Sequence, residues 1–156
     1  MKKLLFSIFA LILPLAIFAE GWDDALYKQI EQNIKAPTFN EKIYKPAIKT
    51  TYSAAKNQKA INKAIEKASK NGGGKVVIPA GTYMTGAITL LSDVNLVIEK
   101  DAVLKFAFEP ELYPLVYTRY EGLDVYNYSP CIYSNGAKNI GITGEGIIDG
   151  NGSNET

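Results

Sequence analysis

The spacing of apolar residues changes character three times along the chain. Residues 4 to 18 are almost wholly apolar, behind Lys2 and Lys3, and Ala19 follows before the sequence turns polar. Two cations, a short apolar stretch and a small residue make a secretory signal, and this run, interrupted by Pro14, is shorter than the ~20 residues that span a bilayer. The sequence predicts a bacterial-type signal peptide over 1–19 and a secreted or periplasmic product that keeps no membrane contact after cleavage. Residues 20–52 read as an N-terminal extension in which Trp22, Leu26, Ile30 and Ile34 recur every four positions, as in one short amphipathic helix. Pro37 and Pro46 stop any continuation.

A stronger helix signal runs from Ala55 to Lys70. Ile61, Ala64, Ile65 and Ala68 fall on one face, while Lys59, Lys63, Glu66, Lys67 and Lys70 take the other. Asn57 suits the N-cap and Asn71-Gly72 a left-handed stop. A single apolar stripe means that the helix covers something.

After Gly72-Gly73-Gly74 the period becomes strand-like. Val76 to Ile78, Thr82 to Met84, Ala87 to Leu90, Val94 to Ile98 and Val103-Leu104 are short runs split by turn residues, with no room for crossover helices. Laid without gaps on residues 132–150, residues 88–106 bring Ile88 onto Ile132, Asn95 onto Asn139, Leu96 onto Ile140, Val103 onto Ile147 and Leu104 onto Ile148. Short strands repeating in this way predict a solenoid, each coil burying its inward side chains against the next.

Between the two copies lies an insertion from Ala107 to Pro130. Eight of the chain's 17 aromatic residues fall between Phe106 and Tyr133, and the chain's only arginine, Arg119, is among them. Insertions in solenoids become loops on one face, often the binding face. Sugar rings pack their C–H faces on tyrosine, and an arginine fork holds a carboxylate, so the combination suits an acidic sugar. The competing reading packs the tyrosines on the solenoid wall and pairs Arg119 with Glu121 or Asp124.

Composition narrows the chemistry. With 17 basic and 16 acidic residues the chain is nearly neutral, which argues against a nucleic-acid partner. No histidine and one cysteine, Cys131, argue against zinc sites, disulfides and histidine-dependent nucleophiles. Gly72-Gly73-Gly74-Lys75 lacks the Ser or Thr and the helix of a phosphate loop. Asp149-Gly150-Asn151-Gly152-Ser153 alternates like a calcium loop but has Asn154 where that loop needs glycine.

Taken in order, the helix Asn57 to Ala68, Gly72 to Tyr83, Thr85 to Leu90, Val94-Asn95-Leu96 and Asn139 to Gly152 resemble the N-terminal part of polygalacturonase-like enzymes, family 28 of the glycoside hydrolases. The resemblance implies an all-β fold, a right-handed parallel β-helix (solenoid) whose N-terminal α-helix caps the core, with 53–156 holding the cap and first coils. It implies inverting hydrolysis of galacturonate linkages in pectin or oligogalacturonides, with no metal or organic cofactor. The family's Asn-Thr-Asp, Gly-His-Gly and Arg-Ile-Lys motifs are missing, and the one Asp-Asp, Asp23-Asp24, lies beside the signal. No catalytic residue carries over, Asp149 reads as structural, and Arg119 stands as the candidate substrate contact. The chain alone is expected to be inactive. Two alternatives stay open: a non-catalytic carbohydrate-binding β-helix, and a pectate lyase, which would use calcium.

Overall fold

The structure is a computed structural model and describes residues 24–152. The signal segment 1–19 and Trp22 lie outside the described residues. The chain divides into two compact units, Met1–Ala36 and Pro37–Thr156. In the first, helix α1 (Asp24–Asn33) exposes Leu26, Tyr27 and Ile30, at the position that the four-residue spacing predicts.

The second unit runs β1 (Ile43–Tyr44), α2 (Ala54–Lys70), β2 (Gly74–Ile78), β3 (Gly81–Thr85), β4 (Ile88–Thr89), β5 (Val94–Ile98), β6 (Ala102–Phe106), β7 (Leu115–Tyr120), β8 (Leu123–Tyr128), β9 (Ile132–Tyr133), β10 (Gly141–Gly144) and β11 (Ile147–Asp149). Three parallel sheets wind around one core: β1-β2-β5-β10, then β3-β6-β11, then β4-β9. The fold is a right-handed parallel β-helix. Val76, Leu96 and Ile142 occupy one inward column, Tyr83, Leu104 and Ile148 a second, Ile88 and Ile132 a third.

The repeat holds in kind and is corrected in register. Ile88 pairs with Ile132, Val103 with Ile147 and Leu104 with Ile148, as the gapless overlay predicts. In between, Asn95 pairs with Gly141 and Leu96 with Ile142, two positions further on than the overlay puts them. The corner before β10 is longer by two residues than its counterpart before β5, and the next corner is shorter by the same amount. A shift of two keeps every side chain on its own face, because strand side chains alternate with period two.

The corners ahead of β2, β5 and β10 share one backbone conformation. Gly73 (φ 87°), Asp93 (φ 64°) and Asn139 (φ 54°) are all left-handed, and Asn139 Nδ2 donates to Asp93 Oδ1 at 3.0 Å. Asp and Asn tolerate this region among non-glycine residues. Position 73 accepts only glycine, since a Cβ there would sit 2.5 Å from the Asp93 carbonyl oxygen.

Helix α2 closes the first end of the core. Ile61, Ile65 and Ala68 are fully buried, and each isoleucine contributes about 1.5–3 kcal/mol by leaving water. The N-cap is Ser53, whose Oγ accepts from Lys56 N at 3.4 Å, so the expectation of Asn57 there is corrected. Asn57 is fully buried instead: its Oδ1 accepts from Lys49 N at 3.1 Å, and its Nδ2 donates to the carbonyls of Lys49 and Met84. Gln58 Nε2 donates to the Ala87 and Leu112 carbonyls, and Asn62 bonds Ala87 O and Thr89 N. Three amides thus tie the cap to the rim of the coil. At the other end Gly72 is left-handed (φ 81°) and Gly73 N donates back to Ala68 O at 2.9 Å, the stop expected of Asn71-Gly72.

Candidate functional site

The insertion leaves the wall after β6. Ala107 N donates to Thr85 O at 2.8 Å, so the chain is still held by the coil there. A one-turn 3-10 helix, Pro110–Leu112, follows and seats Leu112 against Ala54 and Ala107. Beyond it, the expected loop is an antiparallel hairpin of β7 and β8. Its turn, Glu121-Gly122, has positive φ at both residues, 47° and 88°, the type I′ geometry that matches strand twist. The sequence signal was present as a glycine between two alternating runs, though Glu is a less usual first turn residue than Asn or Asp.

Register fixes which side chains share a face, because directly opposed residues of an antiparallel pair point the same way. Leu115 faces Tyr128, Tyr117 faces Tyr126 and Arg119 faces Asp124. One face therefore carries three tyrosines, a leucine, the arginine and Asp124. The tyrosines are exposed: Tyr117 by 59%, Tyr126 by 73% and Tyr128 by 56%. The rings of Tyr117 and Tyr126 meet edge to face at 5.5 Å between centroids, which orders them without covering them. Wall packing, the competing reading of these aromatics, holds for Tyr113 alone among those in the insertion.

Arg119 sits near the tip of this face. Asp124 is its register partner, yet no ion pair to Arg119 within 4.0 Å occurs among the described residues, and the same is true of Glu121. The guanidinium fork is open to solvent and to a carboxylate.

At the foot of the hairpin lies a cavity of about 350 Å³, walled by Phe108, Glu109, Tyr113, Tyr128, Ser129 and Cys131, among others. Phe108 is 90% exposed at its edge. Tyr113 is packed against the core and donates its hydroxyl to Ala107 O at 2.7 Å. Burial, reinforced by Cys131 beside it, pushes the phenol up to about 12. Ser129 Oγ is buried with no hydrogen-bond partner. Sequence reasoning missed Ser129 and Cys131 as lining residues, because neither carries a motif.

Other sequence candidates lie elsewhere. Asp149 accepts from Asn151 N at 2.7 Å and lies 3.3 Å from Lys105 Nζ; the Asn151 bond first, and Lys105 next, hold its carboxyl below the ordinary range against some burial. Its oxygens are engaged in the corner, in keeping with a structural role. Gly72-Gly73-Gly74 leads from α2 into β2, with Gly73 packed against Asp93 and Gly74 against Lys42 and Tyr44. Among the described residues no three His, Cys, Asp or Glu side chains gather closely enough to hold a metal ion.

No family model matches the chain. It is 31% identical over 105 residues to a Vitis vinifera protein described as "Probable polygalacturonase", a match over 62% of this chain and 21% of that protein. The chain thus spans about a fifth of the length of that curated relative. The crystal structure of a hyperthermoactive exopolygalacturonase from Thermotoga maritima superposes with a TM-score of 0.75 and 32% identity, covering 85% of this chain and 30% of that one. A Yersinia enterocolitica family 28 exopolygalacturonase follows with a TM-score of 0.65 and 32% identity, over 72% of this chain and 21% of its own. Over the stretch these comparisons match, the chain is similar to polygalacturonases and shares the parallel β-helix of two exopolygalacturonases, one of them of family 28.

Proposed function

We propose that this chain forms the cap, the first coils and a sugar-binding hairpin of a secreted, pectin-directed glycoside hydrolase of the inverting, polygalacturonase type. The observation that carries the reading is the exposed hairpin face, with Tyr117, Tyr126 and Tyr128 in line with an unpaired Arg119. Tyrosine faces take the apolar side of a sugar ring, and the guanidinium takes the galacturonate carboxylate in a fork. The relatives' names support the same substrate class.

Inverting hydrolysis needs a carboxylic acid and a carboxylate about 6.5–9.5 Å apart across the scissile bond. In this reading those groups belong to further coils that stack on Ile142 and Ile148, whose inward side chains are each 43% exposed. The chain by itself then binds oligogalacturonide and does not cleave it. A non-catalytic carbohydrate-binding β-helix is the second reading, favoured by the same hairpin face and by the missing catalytic motifs.

Calorimetric titration of the chain with a defined oligogalacturonide tests the reading. Arg119→Ala is expected to weaken binding by about 1.5–3 kcal/mol, the worth of a charged hydrogen-bonded pair. Tyr126→Ala is expected to cost about 0.5–1.5 kcal/mol. Affinity unchanged in both variants would dismiss the hairpin as the binding face, and release of reducing ends by the chain alone would show that its catalytic groups lie within it.

A further inference from the structure

The even overall charge hides a sharp segregation. Residues 42–70 hold eight lysines and a single acid, Glu66, a net charge of +7, whereas residues 71–156 hold five basic and ten acidic residues, a net charge of −5. The structure folds the basic run onto the outside of the cap. There the β1 segment and α2 enclose a groove of about 380 Å³, lined among others by Ile43, Tyr44, Lys45, Ala60, Lys63 and Lys67. The three lysines are exposed, and among the described residues none of them makes an ion pair. Lys63 and Lys67 are one helical turn apart, about 6 Å along the axis, with Lys45 on the facing wall. Glu66 is drawn away toward Lys70, at 4.0 Å.

We infer that this groove is a second, non-catalytic site that holds a linear polyuronate, its carboxylates on Lys45, Lys63 and Lys67 and its sugar faces over the apolar floor. Charge complementarity selects a polyanion. Nucleic acid fits less well, because the run contains no arginine and offers no free stacking platform: Tyr44 is buried, and Lys56 Nζ sits 3.5 Å above the Tyr52 ring. An anionic membrane fits less well too, since the apolar stripe of α2 is already spent on the core and leaves nothing to insert. The site rests on the pectic reading only for which polyuronate it meets in nature.

The test is affinity electrophoresis of the full chain through gels containing polygalacturonate, alginate, fully methyl-esterified pectin or duplex DNA, comparing wild type with the Lys45→Gln/Lys63→Gln/Lys67→Gln variant. Unchanged thermal midpoints serve as the folding control. The expected result is retardation by both polyuronates, weakened at least tenfold in the variant, lost in esterified pectin and declining with salt. Retardation equal in wild type and variant, persistence in esterified pectin, or stronger retardation by DNA than by either polyuronate would overturn the inference. The two proposals separate cleanly. Lysine-dependent binding of alginate without binding of polygalacturonate would keep the cap site and sink the pectic reading. Polygalacturonate binding abolished by Arg119→Ala but untouched by the lysine variant would do the reverse.

Discussion

Asn57 has its whole side chain in the interior and three hydrogen bonds to main-chain groups of two other segments. Asn57→Ala would strand the Lys49 and Met84 groups, and a loss of about 1–3 kcal/mol is expected in denaturant unfolding. Sequence reasoning put this residue at the N-cap because asparagine favours that position, but Ser53 does so as well, and only the fold decides which of the two meets a buried carbonyl. Tyr113 gives a pH signature. Its folded value of about 12 stands above the unfolded 10.0, so its stabilising contribution is complete below pH 10 and is lost as pH rises from 10 to about 12. Thermal midpoints of wild type should fall across that window, and Tyr113→Phe should flatten the fall. Asp149 has the opposite sign. Held below its ordinary 3.8, it contributes above that pH and loses its contribution as pH falls through the lower folded value.

Among the elements, α2 was the most legible and the hairpin the least. The stripe of Ile61, Ala64, Ile65 and Ala68 has one explanation in a helix, namely a core to cover, and all four are buried. Ile65→Ala is expected to cost about 2–5 kcal/mol. The tyrosines of β7 and β8 had two explanations, because an amphipathic ring serves a wall or a ligand equally well. Their exposure removes the wall from the two. Gly122 carries φ 88° in the tight turn, a conformation that a β-branched residue resists. Gly122→Val should fray the hairpin and abolish oligogalacturonide binding while the far-ultraviolet spectrum and unfolding midpoint of the coils stay close to wild type.

At the scale of the whole molecule, the parallel sheets were readable from short apolar runs, and the register was not. Strand composition fixes which face is apolar, but the lengths of the corners fix which residues meet, and corners obey only the rule that the shift be even. The charge segregation was equally open to reading in residues 42–70, yet a balanced total concealed it until the fold set Lys45, Lys63 and Lys67 around one groove. At the other end, the strand edges of β10 and β11 and the exposed Ile142 and Ile148 offer a template for another chain. Sedimentation should show self-association rising with concentration, reduced by Ile148→Lys.

The insertion leaves the wall at Ala107, while Ile88 N donates to Cys131 O and Leu90 N to Tyr133 O, closing the wall beneath it. Beyond Leu112 and Tyr113, which are seated on the core, the β7–β8 hairpin is thus an addition to a wall that closes beneath it. Replacing residues 115–128 with a tight turn, or with another hairpin, should leave the architecture standing, so that face can vary in sequence and length while the wall that supports it stays fixed.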